Sequence, residues 1–196
     1  AFSGPTCATT LPEDQLAFYD PLREQVNPES NPLPVTAVDP RVTASDLENV
    51  THDPTMSRNY NRRPVRMSMG ALDPATSFYV TVTLAPSAAT DAIALSRVTY
   101  SYASYVYGTT GTISVRTSAD DFATTVDAQP WTGLNNERLS FDLSAVPPST
   151  GRLEVRLYMH DQSLTGGVAV QDWADLLSTA AGMGDGMRVF GRVVPE

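Results

Sequence analysis

The segment GTISVRTSADDF, residues 111 to 122, is a strand that runs into an acidic turn and closes on an aromatic ring. Side chains of an extended strand alternate with period two, so Ile113, Val115 and Thr117 share one face and Thr112, Ser114 and Arg116 the other. Ser118, Ala119, Asp120 and Asp121 then stop the strand. Apolar-alternating runs lie on both sides of it, which makes it a middle strand of an antiparallel sandwich.

The same alternation recurs outward. In SFYVTVTLA (77 to 85), Phe78, Val80, Val82 and Leu84 face one way and Tyr79, Thr81 and Thr83 the other. Residues 93 to 107 carry Val98, Tyr100 and Tyr102 on one face, and ERLSFDL (137 to 143) aligns Leu139, Phe141 and Leu143. GRLEVRLYMHD (151 to 161) sets Leu153, Val155, Leu157 and Met159 against Arg152, Glu154, Arg156 and Tyr158, one dry face and one wet. LAFYD (16 to 20), VTAVD (35 to 39), VRMSM (65 to 69) and MRVFGRVV (187 to 194) complete the strand candidates. TASDLENV (43 to 50) offers Thr43 or Ser45 as an N-cap before Asp46 and Glu48 and predicts a helical turn. Ala174, Leu176, Leu177 and Ala181 lie on one side of a helix over 174 to 181, with Gly182 as its stop. With Gly, Pro and Asn between the strands, the pattern predicts an all-β fold, an antiparallel β-sandwich of jelly-roll type with one short helix.

Residues 1 to 15 are rich in Thr, Pro and Gly and too poor in large apolar side chains to form a core, so they read as an N-terminal arm. A single domain over 16 to 194 follows, and Pro195 and Glu196 stand beyond it. An arm of this kind is held either by its own domain or by a neighbouring copy. Thr6, Cys7, Ala8, Thr9 and Thr10 are the residues suited to adding a strand to the sheet edge of a second subunit, a head-to-tail contact that propagates as a filament. Cys7 is the single cysteine, either an inert thiol or half of an intermolecular disulfide, and no internal disulfide can form.

Twenty-two acids against 13 bases give a net charge of −9, and all 13 bases are Arg. Nucleic-acid binding needs a concentrated basic face, and only Arg62, Arg63 and Arg66 cluster, so that partner class is excluded. No run approaches the ~20 apolar residues of a membrane span.

Chemistry-bearing residues are sparse. Nucleophilic hydrolysis needs a Ser or Cys beside an oriented base, and no GxSxG elbow is present. His52-Asp53 and His160-Asp161 are adjacent pairs whose side chains diverge in extended backbone, which disfavours a zinc site. Calcium suits the acidic composition, with Asp120 and Asp121 as candidate ligands, although the spaced D-x-D-x-D pattern is lacking. Sugar binding needs exposed aromatic platforms; Trp131 and Trp173 are the candidates, followed by Tyr60, Tyr105 and Tyr107.

The order LAFYD, VTASDL, FYVTVTLAP, SVRTSADDF, LSFDLSA and LEVRLYMHD, from Leu16 to Val193, resembles bacterial secreted proteins that carry the PEP-CTERM sorting signal. In that resemblance Val194, Pro195 and Glu196 begin the sorting motif, which an exosortase-type enzyme processes. The resemblance implies a protein secreted to the bacterial cell surface or extracellular matrix. The expectation is a non-catalytic structural protein that assembles with itself through its arm, with no cofactor unless calcium. The alternative is a carbohydrate-binding module that attaches cells to exopolysaccharide.

Overall fold

Alternation becomes hydrogen-bonded ladder wherever it is strongest. The structure is a computed structural model that describes residues 14–20, 32–50, 64–66, 70–104, 109–132, 137–164, 173–176 and 186–195. Among them lie thirteen strands: β1 (Gln15–Tyr19), β2 (Ala37–Val38), β3 (Val42–Ala44), β4 (Glu48–Val50), β5 (Pro64–Arg66), β6 (Phe78–Pro86), β7 (Asp91–Ser104), β8 (Thr109–Thr117), β9 (Asp127–Thr132), β10 (Glu137–Asp142), β11 (Leu153–Leu164), β12 (Trp173–Leu176) and β13 (Met187–Pro195).

They form two antiparallel sheets. The seven-stranded sheet runs β2-β1-β13-β7-β12-β5 with β10 also on β7, and the six-stranded sheet runs β3-β6-β11-β8-β9 with β4 also on β6. The chain changes sheet between β2 and β3, β4 and β5, β5 and β6, β6 and β7, β7 and β8, β9 and β10, β10 and β11, and β11 and β12. Those crossings join the layers, and the inward side chains of both fill the space between. Val80, Val82 and Leu84 meet Ile113, Val115, Val155, Leu157 and Met159 from one sheet and Val98, Tyr100, Phe141, Met187 and Val189 from the other. Burying each such side chain contributes roughly 1.5–3 kcal/mol, which is the main force holding the sandwich together. The β-sandwich expected from the alternation is therefore the architecture found.

Three local expectations are corrected. Residues 43 to 50 form no helical turn: β3 and β4 are two pieces of one edge strand on β6, separated by an irregular step in which Ala44 faces Leu84 and Glu48 faces Thr81. The Ser45 hydroxyl, which helix capping would have used, accepts the Thr83 amide proton at 2.9 Å, while the Ser45 amide donates to the Thr83 carbonyl at 2.8 Å. The helix expected over 174 to 181 gives way at its start to β12, where Ala174 faces both Ser104 and Val65. β7 runs past the end of β13, and its remaining backbone groups pair with residues 174 to 176, so ladder formation overrides helix propensity. The rest of that expected helix, residues 177 to 181, lies outside the described residues. β9 was not expected at all.

Asp14 and Gln15, placed in the arm by the sequence, belong to the sheet. The Gly191 amide donates to the Asp14 carbonyl at 2.9 Å, Gln15 faces Phe190, and Arg188 Nη1 donates to Gln15 Oε1 at 2.9 Å. Thr6, Cys7, Ala8, Thr9 and Thr10 lie outside the described residues. Val194 and Pro195 are strand residues facing Ala92 and Asp91, and Glu196 lies outside.

Candidate functional site on the outer face of the six-stranded sheet

The register of β6, β11 and β8 fixes which outward side chains stand side by side. Thr81, Arg156 and Arg116 form one row, Tyr79, Tyr158 and Ser114 the next, and His160 with Thr112 a third. An outward sheet face is ordinarily wet. Here Tyr158, Ser114 and His160 are only 0%, 3% and 6% exposed, while Tyr79, Arg156, Arg116 and Thr112 are half-buried, so the face is recessed.

Arg156 is the hub of this face. Its guanidinium lies 3.7 Å from the centre of the Phe122 ring and 4.6 Å from that of Tyr79. Its Nε donates to Glu154 Oε1 at 2.6 Å and its Nη1 to the Tyr158 hydroxyl at 3.3 Å. Glu154 Oε1 also accepts from the Thr81 hydroxyl at 2.9 Å. Tyr79 and Tyr158 pack with ring centres 5.0 Å apart, tilted by 49°. Burial works against the Arg156 charge, but the hydrogen bonds with Glu154 and Tyr158 outweigh it and hold the group above its ordinary range. Burial likewise pushes the Tyr79 phenol up. The outcome is a carboxylate, a guanidinium and aromatic rings whose rotamers are already set.

The turn after β8 supplies one wall. Ser118–Asp120 is a 3-10 turn, followed by Asp121 and Phe122 in the left-handed region at φ 56° and 60°. Arg116 Nη1 donates to the Phe122 carbonyl at 2.8 Å, which fixes the ring that stacks on Arg156. The Asp120 carboxylate accepts from the Thr124 amide at 3.0 Å and from the Thr124 hydroxyl, and these bonds hold it below the usual carboxylate range. One of its oxygens, Oδ2, thereby closes the turn. Among the described residues no three His, Cys, Asp or Glu side chains come together as a metal site.

Beside the arginine row lies a second constellation. Ser114 Oγ is 2.8 Å from His160 Nε2, and His160 Nδ1 is 2.8 Å from Asp161 Oδ2. The expectation that His160 and Asp161 diverge is overturned, because Asp161 is not extended. It takes φ 54° at a bulge between His160 and Ser163, which turns its carboxylate back onto the preceding imidazole, and its amide donates to the Gly70 carbonyl at 2.9 Å.

The aromatic candidates fare differently. Trp131 faces Gly111 across β8 and β9 and is 0% exposed in the core, so it presents no face to a sugar. Trp173 is the first residue of β12, opposite Arg66, and Tyr60, Tyr105, Tyr107 and His52 lie outside the described residues. Sequence reasoning placed Tyr79, Arg156, Glu154 and Ser114 on the outer face yet passed over them as a solvated surface. Setting the outward residues of antiparallel neighbours side by side would have exposed the cluster.

No protein-family model matches the chain, and no curated protein sequence is similar to it. Among solved structures, one match is TmCBM61 in complex with β-1,4-galactotriose, with 12% identity, a TM-score of 0.31, and coverage of 80% of this chain and 88% of that one. Another is a family two carbohydrate esterase from Cellvibrio japonicus, with 12% identity and a TM-score of 0.27. That match covers 78% of this chain and spans 36% of the esterase. At scores of this size, what the protein binds has to be argued from its own residues.

Proposed function

We propose that the protein is an extracellular polysaccharide-binding sandwich whose ligand lies across the recessed outer face of the six-stranded sheet. The observation that carries this reading is the clamped set Tyr79, Arg156, Glu154 and Phe122. Sugar rings present apolar C–H faces that stack on aromatics and rims of hydroxyls that pair with charged groups, and this patch offers both within one side-chain length. Because Glu154 and Arg156 already hold each other, little rotamer freedom is left to lose when a ligand arrives. Export to the cell surface is supported by the resemblance to sorted secreted proteins.

Retention by insoluble polysaccharides, followed by calorimetry with matching oligosaccharides, tests the reading. Tyr79→Ala and Glu154→Ala should each weaken binding by about tenfold, the loss of one stacking or charge-assisted contact. Retention by no polysaccharide, or equal retention of both variants, would overturn it. Self-assembly through the arm rests on residues of which only Asp14 and Gln15 are described, and both of these are tied to the protein's own sheet. Light scattering after deletion of residues 1 to 13 tests that alternative: unchanged mass removes it.

A further inference from the structure

We propose that Ser114, His160 and Asp161 form an acyl-transfer site, with Ser114 as nucleophile toward small esters. The inference stands on geometry separate from the binding patch and goes beyond that reading. Asp161 Oδ2 at 2.8 Å from His160 Nδ1 can only accept, so Nδ1 carries the ring proton and Nε2 is left with its lone pair toward Ser114 Oγ, also at 2.8 Å. A serine hydroxyl so placed donates its proton to a base whose orientation a carboxylate fixes, which is how a serine nucleophile is activated. The His160–Asp161 contact depends on Asp161 holding a left-handed backbone conformation that non-glycine residues seldom adopt. Strain of this kind at a bulge, used to aim one carboxylate at one imidazole, points to a role that plain strand pairing does not require.

Register also defines what surrounds the serine. β8 lies between β11 and β9, so the backbone around Ser114 is engaged in ladders on both sides. The donor for a developing oxyanion must then be a side chain, and the Thr112 hydroxyl, two residues along β8 on the same face and opposite His160, is the candidate. Ser114 is 3% exposed beside the fully buried Tyr158, crowding that favours a small acyl group.

In the reaction Ser114 Oγ bonds to the ester carbonyl carbon as its proton passes to His160 Nε2. The bond to the alcohol oxygen then breaks, and that oxygen takes the proton from Nε2. Water attacks the acyl-serine, giving a proton to Nε2, and the carboxylic acid leaves as Ser114 Oγ recovers that proton. Ester and water become alcohol and acid, with no other reactant. If the neighbouring patch holds a glycan, the alcohol is a sugar hydroxyl.

The full chain is treated with methanesulfonyl fluoride, a reagent about as small as an acetyl donor from which Ser114 would displace fluoride, and examined by intact mass and peptide mapping. Hydrolysis of p-nitrophenyl acetate is followed in parallel. A single adduct on Ser114 is expected in the wild type and none in Ser114→Ala. Asp161→Asn alters a half-exposed side chain and keeps its shape, so it should melt as the wild type does yet label at least tenfold more slowly. Absence of a Ser114 adduct on wild-type protein that melts cooperatively would overturn the proposal. So would a labelling rate that Asp161→Asn leaves unchanged.

Discussion

Tyr19 shows how one side chain ties the edge of the sandwich to its core. Its ring is fully buried, and its hydroxyl donates to the Ser45 carbonyl at 2.8 Å, joining β1 of one sheet to the segment between β3 and β4 of the other. Burial, helped by the nearby Asp46 charge, pushes the phenol well above its usual value of about 10. The raised value means that folding favours the protonated form. Its contribution to stability is complete below pH ~10 and is lost as the pH climbs toward the folded value. Tyr19→Phe should cost about 1 kcal/mol at neutral pH in urea unfolding, the worth of one part-buried hydrogen bond. The same variant should lose less stability than the wild type between pH ~9 and ~11, because one titrating group is gone. An identical alkaline slope in both proteins would remove this account. Asp161 teaches the complementary lesson at the same scale: aspartate tolerates the left-handed region better than most residues, but nothing in the run Tyr-Met-His-Asp-Gln says that it will enter it.

At the scale of elements, β13 carries the most exacting contact. Its pairing with β7 shifts register between Phe190 and Gly191, and a Cβ added at Gly191 would press on the Ala94 carbonyl oxygen while lying 3.1 Å from Leu16 Cδ1. A main-chain atom cannot yield as a flexible side-chain tip can. Gly191→Ala should therefore lower stability by about 1–3 kcal/mol, seen as a lower denaturant midpoint with an unchanged slope. A second test concerns the staple between the sheets at β9 and β10. Asp127 Oδ2 accepts the Asp142 amide proton at 2.8 Å, and Asp127→Ala should cost about 1–2 kcal/mol by leaving that amide without its partner. An unaltered midpoint would show that water replaces the carboxylate. The strands that alternation revealed, β6, β8, β11 and β13, are those with one face in the core, where the period-two pattern is imposed by burial. β9 reads DAQPWT and hides, because an edge strand carries Pro130 without losing a needed donor and only its Trp131 reaches deep into the core. The segment 43 to 50 misled for a different reason, since Ser and Asp serve a helix cap and a strand irregularity equally well. The Arg156 patch and the serine array depended on register between strands distant in sequence, which local pattern does not encode.

Across the molecule the surplus of acids shapes the response to pH. Asp39 is held low chiefly by its hydrogen bonds from Arg41, whose Nη2 lies 2.7 Å from Oδ2; Asp120 is held low by Thr124, and Asp142 by the amide and hydroxyl of Ser144. In each case the folded value is depressed, so the unfolded chain binds more protons in the interval between the two values. Their stabilisation is full above the unfolded carboxylate value of ~4 and disappears as the pH falls through the folded values. Thermal stability should therefore hold between about pH 5 and pH 8 and decline steeply below about pH 4. Because Asp120 and Asp142 are exposed, solvent weakens their share, and Asp39, 8% exposed beside a clamped guanidinium, should dominate. Asp39→Asn keeps the shape while removing the charge, so it should lower the neutral-pH melting temperature and flatten the acid limb, bringing the two proteins together near pH 2. The salt dependence of the two should differ only modestly, since the carboxylate is nearly buried and bonded at 2.7–3.0 Å although the Arg41 side chain is 54% exposed and so partly screened. Melting curves from pH 2 to pH 8 at two salt concentrations separate this local origin from general repulsion among the 13 arginines once the acids are protonated: a limb that stays as steep in Asp39→Asn, or that moves mainly with salt, would assign the acid sensitivity to the net charge instead.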